Sequence, residues 1–423
     1  MPNELSALWE GFTAIREEPR MIIMWFIAGA LLYVGVAKKK EPLLLVPISM
    51  GILFANLPLG ELIREGGDGE PAGVLKVFQT IGMETDIFPL LIFLGVGAAT
   101  DFSPMLSNPK TLLLGAGAQA GVFVALLGAL LLGMTDMFEF ELLEAASIGI
   151  IGGADGPTTI FIATRMHEMG QRFEHVNPQN IIGATAVAAY SYMALVPIIQ
   201  PPIIKLLTTK KERLIRMEYS AKPVSKRTQV LFPILTTLII SILVPSASPL
   251  IGMLMLGNLI RVSGVVPRLA DVSENAMMNI VIILLGLAVG STMPAAVFLK
   301  PETIGIFLLG LFAFMTATVA GILLAKLMNL VSRNKINPMI GAAGVSAVPM
   351  AARVVQDMGQ KEDPDNYLLM HAMGPNVAGV IGTATVAGVL LAVVESILQQ
   401  RQEEIDAATG FIHGLVPVIS QII

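Results

Sequence analysis

Long apolar runs separated by short polar loops make up most of the chain. Two examples are MIIMWFIAGALLYVGVA (residues 21–37) and TLLLGAGAQAGVFVALLGALLLGM (residues 111–134). A transmembrane helix needs ~20 such residues, whereas a helix on a soluble core carries a polar stripe that these runs lack. The pattern predicts an all-α polytopic membrane protein. The composition agrees, because 54% of the residues are hydrophobic and only 14% are charged, against roughly 25% charged residues in an ordinary soluble domain.

Glycine and proline interrupt two further apolar segments, residues 143–165 and 337–356, too often for either to form a plain helix. We predict that each forms a broken or re-entrant helical hairpin. The remaining apolar runs predict ten full spans, at residues 20–37, 43–58, 85–101, 111–133, 180–204, 229–245, 248–263, 277–298, 303–328 and 371–396.

Three pairs of similar segments indicate an internal duplication. The members of each pair lie roughly 190–200 residues apart and follow the same order in both halves. The pairs are PISMGILFANL (47–57) with PLIGMLMLGNL (249–259), LGVGAATDFSP (94–104) with LGLAVGSTMP (285–294), and NPQNIIGATAVAA (177–189) with NVAGVIGTATVAG (376–388).

The loop charges predict that the second half is inverted relative to the first. AKKKEP (37–42) and the basic stretch 205–227 are expected in the cytoplasm, and the acid-rich loops 60–71 and 135–141 on the other side. The first half then has five crossings, and an odd number inverts the second half. The two broken segments would approach each other at mid-membrane from opposite faces, as in ion-coupled transporters.

We therefore expect two inverted repeats of about five transmembrane helices each, with one broken hairpin per repeat. The predicted divisions are an N-terminal amphipathic segment at 1–19, the first repeat at 20–205, a basic cytoplasmic connector at 206–228, the second repeat at 229–398 and a C-terminal interfacial segment at 399–423.

The first broken segment contains IIGGADGPTTIF (residues 150–161), in which one acid stands among glycines and a proline. Unwound backbone at membrane depth persists only where protein buries it or where it lines a wet cavity. Freed carbonyls, the Asp155 carboxylate and the hydroxyls of Thr158 and Thr159 would make a low-charge oxygen site suited to Na⁺. The alternative is a polar turn at the membrane surface, in which Asp155 caps the following helix.

The second broken segment, NPMIGAAGVSAVPMAAR, repeats this design. Asn337 and Ser346 supply neutral oxygen atoms, and Gly341 permits close approach of another segment. Arg353 lies one turn after a proline, at a depth where an arginine is costly unless it meets an anion or extends to the interface. Either an anionic substrate group or the membrane interface would satisfy it.

Two further polar interruptions accompany the broken segments. Asn376, in HAMGPNVAGVIGTATVAG, would need a buried partner, whereas the threonines Thr383 and Thr385 could simply be packing positions. AAYSYMALVP holds Tyr190 and Tyr192. Either could be an interfacial residue, or could pass a proton beside an ion site once its pKa is tuned.

Several site classes are excluded by the residues that the chain lacks. It has no cysteine, which excludes disulfides, iron–sulfur clusters and thiolate zinc sites. Its four histidines are scattered without metal-ligand spacing, and no P-loop motif for ATP hydrolysis is found. The net charge of −5 says little for a membrane protein, and we expect no nucleic-acid partner.

Together, IIGGADGPTTIF, AAYSYMALVP, INPMIGAAGVSAVPMAAR and GPNVAGVIG closely resemble the β subunit of the sodium-pumping biotin-dependent decarboxylases. This family includes oxaloacetate, methylmalonyl-CoA and glutaconyl-CoA decarboxylases. The resemblance covers nearly the whole chain from about residue 20, and GGADGPT is its most specific motif.

The resemblance implies an enzyme subunit that decarboxylates carboxybiotin at the cytoplasmic face and couples this reaction to Na⁺ export, with consumption of a proton. It implies Na⁺ ligands at Asp155, Asn376, Ser346, Asn337 and Gly341. It also implies catalytic roles for Ser346, for Arg353 as the contact for carboxybiotin, and for Tyr192 as a proton-linked group.

The resemblance also implies a setting in the bacterial cytoplasmic (inner) membrane, within a complex. Carboxybiotin would arrive on a carboxyltransferase and biotin-carrier subunit, because this chain has no Met-Lys-Met biotinylation signal. A small membrane-anchor subunit and a homo-oligomer within the complex are expected as well. The acid that feeds the complex would be chosen by the carboxyltransferase subunit.

A second hypothesis is a Na⁺-coupled secondary carboxylate transporter without catalytic activity. Inverted repeats, broken helices and a central aspartate fit both hypotheses. A transporter would need its cationic residue deep between the halves and reachable from both faces, whereas Arg353 is predicted towards the cytoplasmic end. The sequence therefore favours the decarboxylase subunit.

Overall fold

The computed structural model describes residues 2–420 except 59, 68, 69, 136, 174, 218–223 and 333, and gives only the backbone for residues 2–9 and 409–420. Within this described part the chain is helical and holds no strand, only an isolated bridge between Gly67 and Glu70. The all-α class predicted from the apolar runs is confirmed.

The helices up to the basic connector are α1 Pro2–Glu17, α2 Arg20–Val36, α3 Pro42–Ala55, α4 Val74–Phe78, α5 Ile87–Ala99, α6 Ser103–Ser107, α7 Thr111–Ala118, α8 Ala120–Gly133, α9 Leu142–Gly149, α10 Gly156–Gln171 and α11 Ile182–Leu207. Those that follow are α12 Lys210–Arg213, α13 Lys226–Leu243, α14 Ser248–Ser263, α15 Pro267–Val272, α16 Met278–Ser291, α17 Ala295–Phe298, α18 Pro301–Val331, α19 Met350–Glu362 and α20 Leu369–Ser420.

The structure shows fewer full-length spans than the ten predicted. Six described helices, or eight if two bent pairs count as one span each, are long and apolar enough to cross a membrane. The bent pairs end in α2 and α5. The spans predicted at 43–58 and 248–263 are helices of only 14 and 16 residues. At about 1.5 Å per residue they fall short of a ~30 Å hydrocarbon core.

Helices from the two halves of the chain pack on each other in crosswise pairs, α3 on α16 and α5 on α14. Glycine allows the backbones of α5 and α14 to touch. A Cβ atom at Gly97 would lie 1.9 Å from Leu254 O, and one at Gly257 would lie 2.0 Å from Leu94 O. Any larger residue at either position would force the two helices apart.

Two asparagines at matching positions of the predicted repeat close these pairs. Asn56 donates from Nδ2 to Met293 O at 2.9 Å and accepts at Oδ1 from Ala295 N at 2.8 Å. Asn258 donates from Nδ2 to Thr100 O at 3.3 Å. Asn56 thus bonds to backbone groups that follow α16, and Asn258 to one that follows α5, in each case a helix from the other half of the chain. Inverted repeats would produce this exchange, and the repeat itself stays a prediction.

The first broken segment folds into a hairpin of α9, a 3₁₀ turn at Ile150–Gly153 and α10. Its left-handed turn residue is Ala154, with φ of 54°. Glu144 near the start of α9 accepts from Gln179 N at 2.9 Å, and Glu139 O accepts from Gln179 Nε2 at 3.0 Å. Both ends of this hairpin therefore lie beside the acid-rich loop before α9.

The second broken segment is a 3₁₀ stretch at Pro338–Gly344 followed by α19. Ion pairs tie the end of α19 to the basic connector, because Arg213 Nε lies 2.7 Å from Glu362 Oε1 and Arg216 Nε lies 2.6 Å from Asp363 Oδ2. The hydrogen bond from Arg216 lowers the pKa of Asp363 by stabilising its carboxylate. This hairpin is rooted at the connector.

One helix separates the roots of the two hairpins. α11 begins next to the first hairpin, ends at the connector and has 26 residues. At 1.5 Å per residue it extends about 39 Å, enough to cross a bilayer. The two hairpins are therefore rooted at opposite ends of α11.

The two ends of the chain are helical where they are described. The N-terminal segment predicted at 1–19 contains α1, and Met1 lies outside the described residues. The C-terminal segment predicted at 399–423 continues α20, a helix of 52 residues. Residues 421–423 lie outside the described part, as do the side chains from 409 onwards.

Gly257→Ala should destabilise the fold, because the added methyl group would collide with the backbone of α5. Overpacking of this kind costs about 1–3 kcal/mol. Gly252→Ala on the same helix is the matched control, since a Cβ atom there meets nothing within 4 Å. We expect a lower thermal-unfolding midpoint of the detergent-solubilised chain for Gly257→Ala only. Equal midpoints would contradict the close packing of α5 on α14.

Candidate functional site

The GADGP turn lies in the protein interior, and Asp155 stands at the start of α10. Only 6% of Asp155 is exposed. Its Oδ1 accepts a hydrogen bond from Thr158 N at 3.2 Å, so the carboxylate caps the helix. The capping contact expected of a polar surface turn is therefore present, but the turn itself is buried in protein.

The tips of the two hairpins touch through their backbones. Ser346 N, in the second hairpin, donates to Gly153 O, in the first, at 2.9 Å. The tip also packs tightly on α20, because a Cβ atom at Gly153 would lie 2.5 Å from Thr383 Cγ2. Asp155 follows Gly153 by two residues and is itself buried, so this residue lies next to the junction between the hairpins.

A buried chain of polar side chains continues from this junction. Ser346 Oγ and Thr383 Oγ1 lie 2.7 Å apart, and Thr383 Oγ1 donates to Gln119 Oε1 at 3.3 Å. Asn376 Nδ2 donates to Val345 O at 2.6 Å. None of these polar side chains is more than 5% exposed. The junction thus collects Asp155, Ser346 and Asn376, three of the residues predicted to bind Na⁺.

Two buried oxygen atoms near the junction have no hydrogen-bond partner within the described part of the chain: Asn376 Oδ1 and the Tyr190 hydroxyl. Leaving such an atom unpaired costs roughly 1–3 kcal/mol, so its presence requires an explanation. Amide, hydroxyl and carboxylate oxygens are hard ligands. The residues present therefore fit Na⁺ as a transported ion.

The two tyrosines make different contacts near the turn. A Cβ atom at Gly156 would lie 2.0 Å from Tyr190 Cε1, so the Tyr190 ring covers the residue after Asp155. The Tyr192 hydroxyl instead donates to Phe307 O on α18. The residues alone left both tyrosines open and the family resemblance selects Tyr192, whereas these contacts bring Tyr190 to Asp155.

The other two predicted Na⁺ ligands lie away from the junction. Asn337 donates from Nδ2 to Arg213 O at 2.9 Å and to Ile215 O at 3.0 Å, at the connector. A Cβ atom at Gly341 would lie 2.1 Å from Gly321 O, so Gly341 is in backbone contact with α18. At these places Asn337 fixes the start of the second hairpin, and Gly341 lets it pack closely.

Arg353 lies in the first turn of α19, after the interruption at Pro349. Arg353 is exposed, and no ion pair with it is found among the residues that the structure describes. The guanidinium group is therefore accessible on the hairpin that is rooted at the connector. It does not belong to the buried junction.

Two buried glutamines belong to the same interior, and the sequence reasoning missed them. Gln119, between α7 and α8, approaches Gly115 O and Gly379 O at 3.4 Å. Gln200 donates to Ala342 O in the second hairpin at 2.8 Å. A lone amide in an apolar span needs a buried partner. The single glutamine in TLLLGAGAQAGVF was thus the available signal.

Comparison with known proteins gives a consistent result. The family model described as Na⁺-transporting oxaloacetate decarboxylase beta subunit matches residues 20–394. Methylmalonyl-CoA decarboxylase subunit beta of Propionigenium modestum is 54% identical, over 88% of this chain and 94% of that relative. Glutaconyl-CoA decarboxylase subunit beta of Acidaminococcus fermentans is 54% identical, over 88% and 92%. Oxaloacetate decarboxylase beta chain of Klebsiella pneumoniae is 47% identical, over 92% and 98%.

The match covers the spans, both hairpins and the buried junction. Relatives named for three different substrates align along nearly their whole length. The apolar helices agree with a multi-pass membrane protein. The chain belongs to the family of beta subunits of the sodium-transporting decarboxylases.

Proposed function

We propose that this chain decarboxylates carboxybiotin at the cytoplasmic face of a bacterial inner membrane and uses the reaction to export Na⁺. The observation that carries the proposal is the junction of Ser346 N with Gly153 O, beside the buried Asp155. Two hairpins rooted at opposite ends of α11 share this junction. A change at the root of either hairpin can therefore reach the same ion site.

Arg353 is the proposed contact for the carboxylate of carboxybiotin. The reaction breaks the bond between the carboxylate carbon and a ureido nitrogen, releases CO₂ and leaves a proton on that nitrogen, so one proton is consumed. A guanidinium group can hold a carboxylate by two parallel hydrogen bonds. The exposure of Arg353, on the hairpin bound to the connector, supports a substrate that arrives from one face only.

Asp155, Ser346 and Asn376 are the proposed direct ligands of Na⁺. One carboxylate neutralises the ion, and the neutral oxygens replace part of its water shell. Asn337 and Gly341, which the resemblance also implies, would act by shaping the second hairpin, as their contacts with the connector and α18 support. The consumed proton would pass through Tyr192, as the resemblance implies, through Tyr190, whose ring covers the residue after Asp155, or through the Ser346 hydroxyl.

The proposed partners are a carboxyltransferase and biotin-carrier subunit and a small membrane-anchor subunit, in a complex that holds more than one copy of this chain. The connector offers the carrier a charged platform close to the second hairpin, built from Arg213, Arg216 and their carboxylate partners. The acid or acyl-CoA would be selected elsewhere, since relatives named for three different substrates are 47–54% identical to this chain.

The alternative, a secondary carboxylate transporter without catalysis, is not favoured. The relatives named above are all decarboxylase beta subunits. The exposed position of Arg353 also argues against a carboxylate site reachable from both faces.

Asp155→Asn should abolish Na⁺-stimulated carboxybiotin decarboxylation and leave the chain folded, because the amide keeps the shape but removes the charge that neutralises the ion. We expect at least about a tenfold loss of apparent Na⁺ affinity, the effect of losing one charged ligand. The measurement is CO₂ release against Na⁺ concentration. Asp271→Asn, an exposed acid on α15, serves as control. Normal Na⁺ stimulation in Asp155→Asn would remove Asp155 from the ion site.

Arg353→Ala should raise the concentration of carboxybiotin carrier needed for half-maximal rate by about tenfold or more. The apparent Na⁺ affinity should change little, because Arg353 lies outside the buried junction. Lys361→Ala, at the other end of α19, controls for a general change in surface charge. An unchanged dependence on the carrier would show that Arg353 does not contact the substrate.

Tyr190→Phe should disturb Na⁺ dependence without lowering thermal stability, because the lost hydroxyl lies beside Asp155 and has no partner among the described residues. Tyr192→Phe should instead lower stability by about 1 kcal/mol, through loss of its hydrogen bond to Phe307 O. Each variant is measured for Na⁺-dependent turnover and for its unfolding midpoint. A loss of turnover confined to Tyr192→Phe would assign the proton-linked role to Tyr192.

A further inference from the structure

A polar crevice of about 520 Å³ lies at the end of α10 opposite to Asp155. A smaller crevice of about 290 Å³ shares Asn180 and Thr292 with it, so the two adjoin. The side chains that line the larger one come from the acid-rich loop after α3, from the helix that follows it and from α10. They include Glu65, Lys76, Glu84, Thr164, His167 and Glu168.

The charge of the larger crevice is negative. Its lysine is paired with Glu65 at 3.1 Å. Arg165, at its edge, is paired with the buried Asp86 and also lies 3.6 Å from Glu168 Oε2, so one guanidinium group serves two carboxylates. No ion pair with Glu84 is found in the described part of the chain. The crevice therefore carries more carboxylates than its cations can neutralise.

One face of α10 supplies a row of polar groups to this crevice. Thr164, His167, Glu168 and Gln171 are spaced three and four residues apart, which places them on the same side of a helix. Thr164 is only 2% exposed, yet its hydroxyl has no hydrogen-bond partner among the described residues. Glu168 Oε1 likewise has no hydrogen-bond partner among the described residues. Two residues that line the crevice thus each hold a buried, unpaired oxygen atom.

The crevice and the junction lie on the same helix but are separated. On the same side of α10, one turn closer to Asp155, lie Ile160 and Phe161, which are 0% and 1% exposed. From Asp155 to Thr164 the helix rises about 14 Å, at 1.5 Å per residue. One turn of buried apolar side chains therefore separates the polar row from Asp155 along this face of the helix.

We propose that this crevice is a second, outer Na⁺ site, with Thr164 Oγ1 and Glu168 as its ligands. The inference rests on the proposed function, because it assigns the crevice to the side where exported Na⁺ leaves. A hydrated monovalent cation fits the donor set. The excess of carboxylates disfavours anions. No group of three or more His, Cys, Asp or Glu that could hold a metal ion is found among the described residues, which disfavours a transition-metal site.

The chain contains no cysteine, so a single Gln171→Cys substitution would report on the crevice. The full chain in membrane vesicles with the outer face exposed is labelled with a membrane-impermeant maleimide, in Na⁺ or in K⁺ at equal ionic strength and without carboxybiotin. We expect Na⁺ to slow labelling severalfold. Thr164→Val or Glu168→Gln in the same background should raise the half-protecting Na⁺ concentration about tenfold.

Two further variants separate this proposal from its alternatives. Asp155→Asn should leave the protection by Na⁺ unchanged, even where it abolishes pumping. Failure of the pump and failure of the outer site are therefore distinguishable. Glu61→Gln, an exposed acid in the same loop, should also change nothing. Equal labelling in Na⁺ and K⁺ would overturn the proposal. So would loss of protection in Asp155→Asn, or an effect of Glu61→Gln as large as that of Glu168→Gln.

Discussion

Backbone that leaves a helix inside a bilayer has to find hydrogen-bond partners in protein, because lipid provides none. Here the two broken segments provide them for each other. The bond from Ser346 N to Gly153 O joins the tips of two hairpins, and Asn376 reaches Val345 O beside it. Neither tip would be stable at this depth alone. The close glycine contacts of the surrounding helices hold the two tips in place.

The same constraint gives the proposed pump its means of coupling. The first hairpin is anchored beside the acid-rich loops through Glu144 and Gln179, and the second is anchored at the basic connector through Arg213 and Glu362. Since both end at one junction, carboxybiotin docking at the connector side can change the contacts that surround Asp155. The ion and the substrate would then act on a shared element, although their proposed sites lie at different depths.

Much of this arrangement could be predicted from the chain alone. The glycines and prolines predicted the positions of both hairpins, and the lone acid marked the first one. The structure brings Asp155, Ser346 and Asn376 close to one junction. The length of α3 was not predictable. The apolar run continues past the end of the helix, so hydrophobicity does not mark where the helix stops. The sequence could not choose between the two tyrosines, for a geometric reason. Two residues apart on a helix, Tyr190 and Tyr192 point about 200° apart, and only the packed neighbours decide which one faces Asp155.

The central claim is that the shared junction makes decarboxylation and ion movement obligatory partners. It is tested by reconstituting the chain with its partner subunits in liposomes, supplying carboxybiotin on its carrier, and following ²²Na⁺ movement and CO₂ release in the same sample. The account predicts that CO₂ release stops when Na⁺ is omitted, and that ²²Na⁺ movement stops when carboxybiotin is omitted. Full-rate CO₂ release without Na⁺, or Na⁺ transport without carboxybiotin, would contradict it.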